Sequence, residues 1–349
     1  MGFIRRTQKL GESLFEFFYG FSSPIAKVTL KGKRQNVDVP ATCCGTWSWG
    51  EKRPWGYQEE RDLPGIKEVW DQLNKEKIGF YDGAEGYGPL ENERIIGKLL
   101  KDTSEEERRE VIIATKWLPF PIFPGRLWPV GIVGALQRSL ERLGVDQVDL
   151  YQVHIPVFVF YGIESIAKGL ADCVELGLTK TVGVSNYNEE QMVRMYDELK
   201  KYGVPLASNQ IEYNLLRTVP EKSGLLAACH ERDIVPLAYS PLAQGRLTGK
   251  YSSKNLPTGR RIYGNQPWEV IDPLLDAMKE IANKREVPVS AIALNWVMCK
   301  GAIPLGGARN GRQAGENSKA LGFRLTDEEV QRLDELSVEG NTLAIVQAG

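Results

Sequence analysis

Four side chains able to move or steer a proton stand at the ends of short apolar runs. They are Asp82 and Tyr87 in "GFYDGAEGYG" (79–88), Lys116 in "IIATKW" and His154 in "LYQVH". A phenol titrates near ~10 in water and is a poor acid at neutral pH unless its environment changes that. A neighbouring ammonium favours the phenolate, and a carboxylate beside that ammonium would hold it in place and charged. Each residue alone also has an ordinary explanation, since Asp and Gly form turns, a lysine can end a strand in solvent and a histidine can pack at a strand end. Packing does not explain why an acid, a phenol, an ammonium and an imidazole should fall on consecutive strand ends.

The elements that must position them alternate along the chain. The apolar runs read as strands are "ATCCGT" (41–46), "IGFYD" (78–82), "VIIAT" (111–115), "VDLYQV" (148–153), "TVGVS" (181–185), "LASNQ" (206–210), "IVPLAY" (234–239) and "AIPLG" (302–306). Between them lie helical patterns such as "GIVGALQRSLERLG" (131–144), with apolar residues three and four apart, and "NEEQMVRMYDELKKYG" (188–203), which opens on a capping Asn and ends in Gly. Repeated βα units with short connections specify a parallel sheet, and eight strands favour an α/β fold closed as a (β/α)8 TIM barrel. An open doubly wound sheet would usually carry GxGxxG after its first strand; neither that motif nor GxxxxGK[ST] occurs.

The segment "AKVTLKGKRQNVDVP" (26–40) reads as an N-terminal β-hairpin. Residues 1–35 are expected to be an extension containing the start of that hairpin, and 36–340 a single barrel domain. Two long connections, 117–130 and 240–268, are expected at the C-terminal rim, because loops of that length usually shape a site.

Composition narrows the class. The 349 residues, 42% hydrophobic and 26% charged with a net charge of -1, describe a soluble globular protein without the basic excess a general nucleic-acid binder needs. The odd count of five cysteines, without a CxxC pair, fits reduced thiols in a cytoplasmic compartment, and two histidines are too few for a His-rich zinc site. No apolar run is long enough to span a bilayer, and the N-terminus lacks a signal-peptide apolar region, although organelle targeting stays open. The expected partner is a small molecule, with no nucleic acid and no membrane; the oligomeric state is left open.

The ordered series "FYDGAEGYG", "IIATKW", "LYQVH", "GVSNYN", "NQIEYN", "AYSPLAQGRLTGKY" and "IPLGGARNGRQAGEN" closely resembles the aldo-keto reductase family over about residues 40–335. The resemblance implies a barrel that binds NADP(H) without a Rossmann motif and reduces an aldehyde or ketone to an alcohol. It implies a catalytic tetrad of Asp82, Tyr87, Lys116 and His154. Tyr87 would give the proton, Lys116 tune it, Asp82 hold Lys116, and His154 orient the carbonyl oxygen. It further implies cofactor contacts from Thr46, Trp47 and Asp82. Ser185, Asn186 and Gln210 would bind the carboxamide, and Tyr239 would stack on the nicotinamide. Ser240, Leu242 and Gly245 would line the pyrophosphate, with Gly307, Ala308, Arg309, Gln313 and Asn317 at a helix that opens on the phosphate. No metal is implied.

One departure is Gly83, where the family usually has Thr. A non-catalytic nicotinamide-binding sensor or regulatory subunit on the same barrel is the alternative function, and a barrel isomerase or hydrolase a more distant one. The aromatics Trp49, Trp55, Trp117, Phe120, Phe123, Trp128, Phe158 and Phe160 in the rim loops lead to the expectation of an apolar or aromatic carbonyl substrate.

Overall fold

The computed structural model describes residues 27–53, 55–119, 131–156, 162–257 and 266–340. It begins with an antiparallel hairpin of β1 (Lys27–Leu30) and β2 (Val37–Pro40), with Lys27 opposite Pro40. Alternation puts Val28, Leu30, Val37 and Val39 on one buried face, while Thr29 donates to Asp38 at 2.6 Å on the other.

Eight parallel strands follow among the described residues: β3 (Cys44–Gly45), β4 (Phe80–Asp82), β5 (Ile112–Trp117), β6 (Val148–Val153), β7 (Thr179–Ser185), β8 (Leu206–Glu212), β9 (Val235–Tyr239) and β10 (Ile303–Pro304). Each pairs with the next. The ends of the sheet meet where the Cys43 N–H donates to Pro304 O at 3.0 Å and the Gly306 N–H to Cys43 O at 2.9 Å, which closes the expected barrel.

Helices alternate with the strands: α1 (Glu59–Lys75), α2 (Glu91–Asp102), α3 (Ile132–Leu143), α4 (Ile163–Glu175), α5 (Glu189–Lys200), α6 (Leu225–Glu231), α7 (Trp268–Arg285), α8 (Val289–Cys299), α9 (Gly311–Ser318) and α10 (Asp327–Leu336). The apolar stripe of α3, through Ala135, Leu136, Leu140 and Leu143, is buried, and the helix stops at Gly144 in the left-handed region. At the start of α5, Asn188 and Gln191 exchange side-chain-to-backbone hydrogen bonds in a capping box.

Strands β4 and β9 begin later than the sequence pattern suggests, and β3 and β10 keep only two residues each. Pro304 has no N–H for the ladder, and after Gly45 the chain turns, with the Trp49 N–H donating to Thr46 O at 2.8 Å. Strands β5, β7 and β8 run longer, because polar residues such as Lys116 and Glu212 continue the pairing where the apolar pattern ends.

The barrel interior explains the site's position. Phe80, Ala114, Leu150, Ala207 and Leu237 share one core with Val28, Leu30, Val37 and Val39, so the hairpin packs into one end of the barrel. Two residues beyond Phe80, Ala114 and Leu150, on the same face of each strand, stand Asp82, Lys116 and Gln152. The apolar floor thereby gives way to a polar layer at the C-terminal end. Among the described residues, no helix is long and apolar enough to cross a membrane.

Candidate active site

The polar layer is organised around one ion pair. Lys116 Nζ donates to Asp82 Oδ2 at 2.5 Å, to Gly83 O at 2.9 Å and to the Tyr87 hydroxyl at 3.1 Å, which uses all three ammonium protons. Asp82 Oδ1 accepts from Gln152 Nε2 at 3.0 Å and Gln210 Nε2 at 2.9 Å. Lys116 and Asp82 are buried, while Tyr87 and His154 are half-buried at the rim. The Tyr87 and His154 rings meet edge to face, with centroids 5.4 Å apart. The four residues expected to act together therefore lie together.

Gln152 and Asn92 went unassigned in the sequence. Gln152 interrupts an apolar strand, and its inward parity with Lys116 is the signal that could have found it. Asn92, fully buried in the first turn of α2, donates to Thr46 O at 2.9 Å and to Trp49 O at 3.2 Å and accepts from the Ala84 N–H at 3.2 Å. It ties the loop after β3 to the loop that carries Tyr87. At Gly83 a Cβ would stand 2.8 Å from Asn92 Oδ1, so the small residue leaves room for that clasp. Gly88, at φ +53, could not carry a Cβ without meeting Gly50 O at 2.3 Å, which makes glycine the residue that turns the chain after Tyr87.

Electrostatics assign the protons. Burial pushes the Tyr87 phenol above its ordinary value; the Lys116 ammonium pulls back against this, and Asp82 adds to it. The sequence argument emphasised the lowering by Lys116 alone, but burial outweighs it, so Tyr87 rests as a protonated acid. Burial also works against the Lys116 charge, but Asp82 and Tyr87 overcome it and raise Lys116. Burial and then Lys116 lower His154 to about 3, so its ring is neutral at physiological pH. Its Nδ1 is buried without a hydrogen-bond partner among the described residues. An unmet acceptor is tolerated better than an unmet donor, so we assign the ring proton to Nε2.

The residues expected at the cofactor form two groups. In one, Ser185 Oγ donates to Gln210 O at 2.9 Å, and Asn186, at φ +62, donates its amide to His154 O at 3.0 Å and accepts from the Tyr239 hydroxyl at 2.9 Å. Beyond β9, Ser240, Ala243, Gln244 and Gly245 all have positive φ, and Asn214 Nδ2 holds Ser240 O at 3.1 Å. Leu242 O accepts from the Gly245 N–H at 2.9 Å. Non-glycine residues in this region cost energy and cluster at ligand clamps. In the other group, Trp49 Nε1 donates to Ala308 O at 3.3 Å, Gln313 Oε1 accepts from the Arg309 N–H at 2.9 Å, and Asn317 Nδ2 donates to Gly307 O at 3.2 Å. A hydroxyl and an amide side by side, an aromatic ring, a strained turn and an arginine before a helix suit a nicotinamide dinucleotide by their chemistry. Thr46 is buried against Asp82 O at 2.8 Å, and the Trp47 ring lies 6.3 Å from Tyr87.

The aromatic wall needs correcting. Trp49 and Trp117 are fully buried core residues and offer no surface to a substrate. Trp117 follows Lys116 on the strand, so alternation turns it outward against the helices. Phe120, Phe123, Trp128, Phe158 and Phe160 lie outside the described residues. Trp55 remains, edge to face with Trp47 at 5.4 Å.

Comparison with known proteins gives the class of this barrel. The Aldo/keto reductase family model matches residues 42–338, and the chain belongs to that family. It is 37% identical over 313 residues to the chloroplastic pyridoxal reductase of Arabidopsis thaliana, covering 87% of this chain and 85% of that one. It is 31% identical over 281 residues to L-glyceraldehyde 3-phosphate reductase of Escherichia coli (strain K12), covering 75% and 81%. The solved glycerol dehydrogenase from Gluconobacter oxydans superposes with a TM-score of 0.73 at 28% identity, covering 90% of this chain and 98% of that one.

Proposed function

We propose that this chain is an NADP(H)-dependent carbonyl reductase that converts a flat, aromatic aldehyde to its alcohol, with Tyr87 as the proton donor. The observation that carries this reading is the Tyr87 hydroxyl 3.1 Å from a Lys116 ammonium anchored by Asp82, with the His154 ring beside it. A dihydronicotinamide, held by Ser185, Asn186, Gln210 and Tyr239 when bound, would supply the hydride to the carbonyl carbon. Tyr87 gives its proton to the carbonyl oxygen as negative charge grows there. Lys116, close to the phenol, stabilises the phenolate left behind. His154 Nε2–H donates to the same oxygen and fixes its direction. Asp82, saturated by Gln152 and Gln210, keeps the ammonium aimed.

Trp47 beside Tyr87, with Trp55 against Trp47, supports the aromatic preference, as does the likeness to a pyridoxal reductase. The likeness to a glyceraldehyde 3-phosphate reductase supports a small polar aldehyde as a second reading. Five free thiols suit a reducing compartment, cytoplasmic or within an organelle.

Purified protein, NADPH and a panel of pyridoxal, benzaldehydes, glyceraldehyde 3-phosphate and open-chain sugars separate these readings. We expect the highest kcat/KM for the aromatic aldehydes; a panel led by sugars would sink that preference. Tyr87→Phe should lower turnover by about 10²-fold or more with NADPH affinity nearly unchanged. Full activity in that variant would overturn the assignment of the donor. A wild type that binds NADPH yet reduces nothing would return the sensor reading.

A further inference from the structure

Trp55 links the two halves of the site, and this inference rests on the dinucleotide reading above. The residue sits in the loop after β3, just before Gly56 at φ +65. The guanidinium carbon of Arg309, before α9, lies 5.1 Å from the Trp55 ring centroid. The same ring meets Trp47 edge to face at 5.4 Å, and Trp47 in turn lies 6.3 Å from Tyr87. The Trp55 indole N–H is buried and has no hydrogen-bond partner among the described residues.

These facts combine into a specific role. An indole face attracts a guanidinium and is stiff, with few rotatable bonds, so it can hold Arg309 in one orientation. Stacking engages the face of a guanidinium and not the in-plane donors that match a phosphate. A buried indole N–H is costly to leave unmet, and each such group calls for an explanation. A phosphate gripped by the adjacent guanidinium would meet it.

We propose that Trp55 is a specificity-determining residue for the 2′-phosphate of NADP(H): its ring orients Arg309, and its N–H donates to a phosphate oxygen. NADH, with a 2′-hydroxyl in place of the dianion, gains from neither contact. The expectation from sequence gave Trp55 only to the substrate; here one side of the ring serves the cofactor.

Isothermal titration calorimetry with NADPH and NADH, without substrate, tests this independently of turnover. Trp55→Ala should weaken NADPH by about tenfold and NADH by less than about twofold. Trp55→Phe, which keeps a stacking ring and loses the N–H, should weaken NADPH by roughly threefold. In an Arg309→Ala background, Trp55→Ala should weaken NADPH by clearly less than it does in the wild type, because the two residues then no longer share a partner. Equal losses for both cofactors, or unchanged NADPH affinity in both Trp55 variants, would overturn the inference and leave the reductase reading intact. A wild type that binds neither dinucleotide would overturn both.

Discussion

Among the described residues, two ion pairs have both partners buried, and they are satisfied to different degrees. In the first, Lys116 and Asp82 have side chains 0% and 3% exposed, and every ammonium proton and both carboxylate oxygens have partners. In the second, Arg217 and Glu212 are equally hidden, at 4% and 3%, and their Nε and Oε2 form an ion pair at 3.4 Å, but neither atom has a hydrogen-bond partner among the described residues. Burial pushes Glu212 up to about 7, and the pull of Arg217 only reduces that rise. Burying a charge is repaid only when geometry and auxiliary hydrogen bonds are good. At the site, Gln152 and Gln210 provide them; around Glu212, protonation relieves the charge instead.

The comparison breaks first at Lys116. Lys116→Met keeps most of the volume and leaves Asp82 a buried carboxylate with no cation. Stability should fall by about 3–5 kcal/mol, the range for removing one partner of a buried pair, and turnover should vanish. Urea unfolding measures the first and NADPH oxidation the second. A variant as stable as the wild type would mean the pair is not the anchor described here.

Glu212→Gln should be far milder at pH 5, changing stability by less than about 1 kcal/mol, because there the amide replaces a carboxyl that burial keeps protonated. The sign with pH is definite. The folded carboxyl, at about 7, lies above its ordinary 4.5, so its contribution is fully present below 4.5 and lost as pH rises through about 7. The wild type should gain on the variant between pH 8 and pH 5. An identical difference at both pH values would show that Glu212 titrates normally.

The two pairs were not equally legible in the sequence. Asp82, Lys116 and His154 could be read because they end apolar strands, and Tyr87 because glycines mark its loop. Glu212 lies within "NQIEYN", where nothing distinguishes a buried carboxyl from an exposed one; the segment after it is closed by residues far along the chain, with the Val338 and Glu339 carbonyls accepting from the Thr218 N–H at 3.3 Å and 3.1 Å. Asn92 was hidden for a similar reason, since its partners Thr46 and Trp49 are distant in sequence. Trp117 was misjudged although strand parity was available: if Lys116 points inward, its neighbour points out. Periodicity carried the barrel, while the loops' contacts depended on tertiary closure.

The smallest expected effect concerns His154, the site's own incompletely satisfied group, and it runs opposite to that of Glu212. Folding lowers His154 from 6.5 to about 3, through burial first and Lys116 second, so the unfolded chain takes up a proton that the folded one refuses. Above pH 6.5 both states are neutral and the group contributes nothing to the pH dependence. As pH falls from 6.5 toward 3, the unfolded state is increasingly favoured and the wild type loses stability. His154→Gln removes the titration while keeping a neutral, hydrogen-bonding side chain. The wild type should therefore lose Tm relative to the variant between pH 7 and pH 5, modestly, because the ring is only half-buried. His230, which burial also lowers, is present in both proteins and cancels in the difference. Parallel Tm curves over that range would show that His154 is not desolvated in the folded state, and would remove the basis for a neutral imidazole as donor to the carbonyl oxygen.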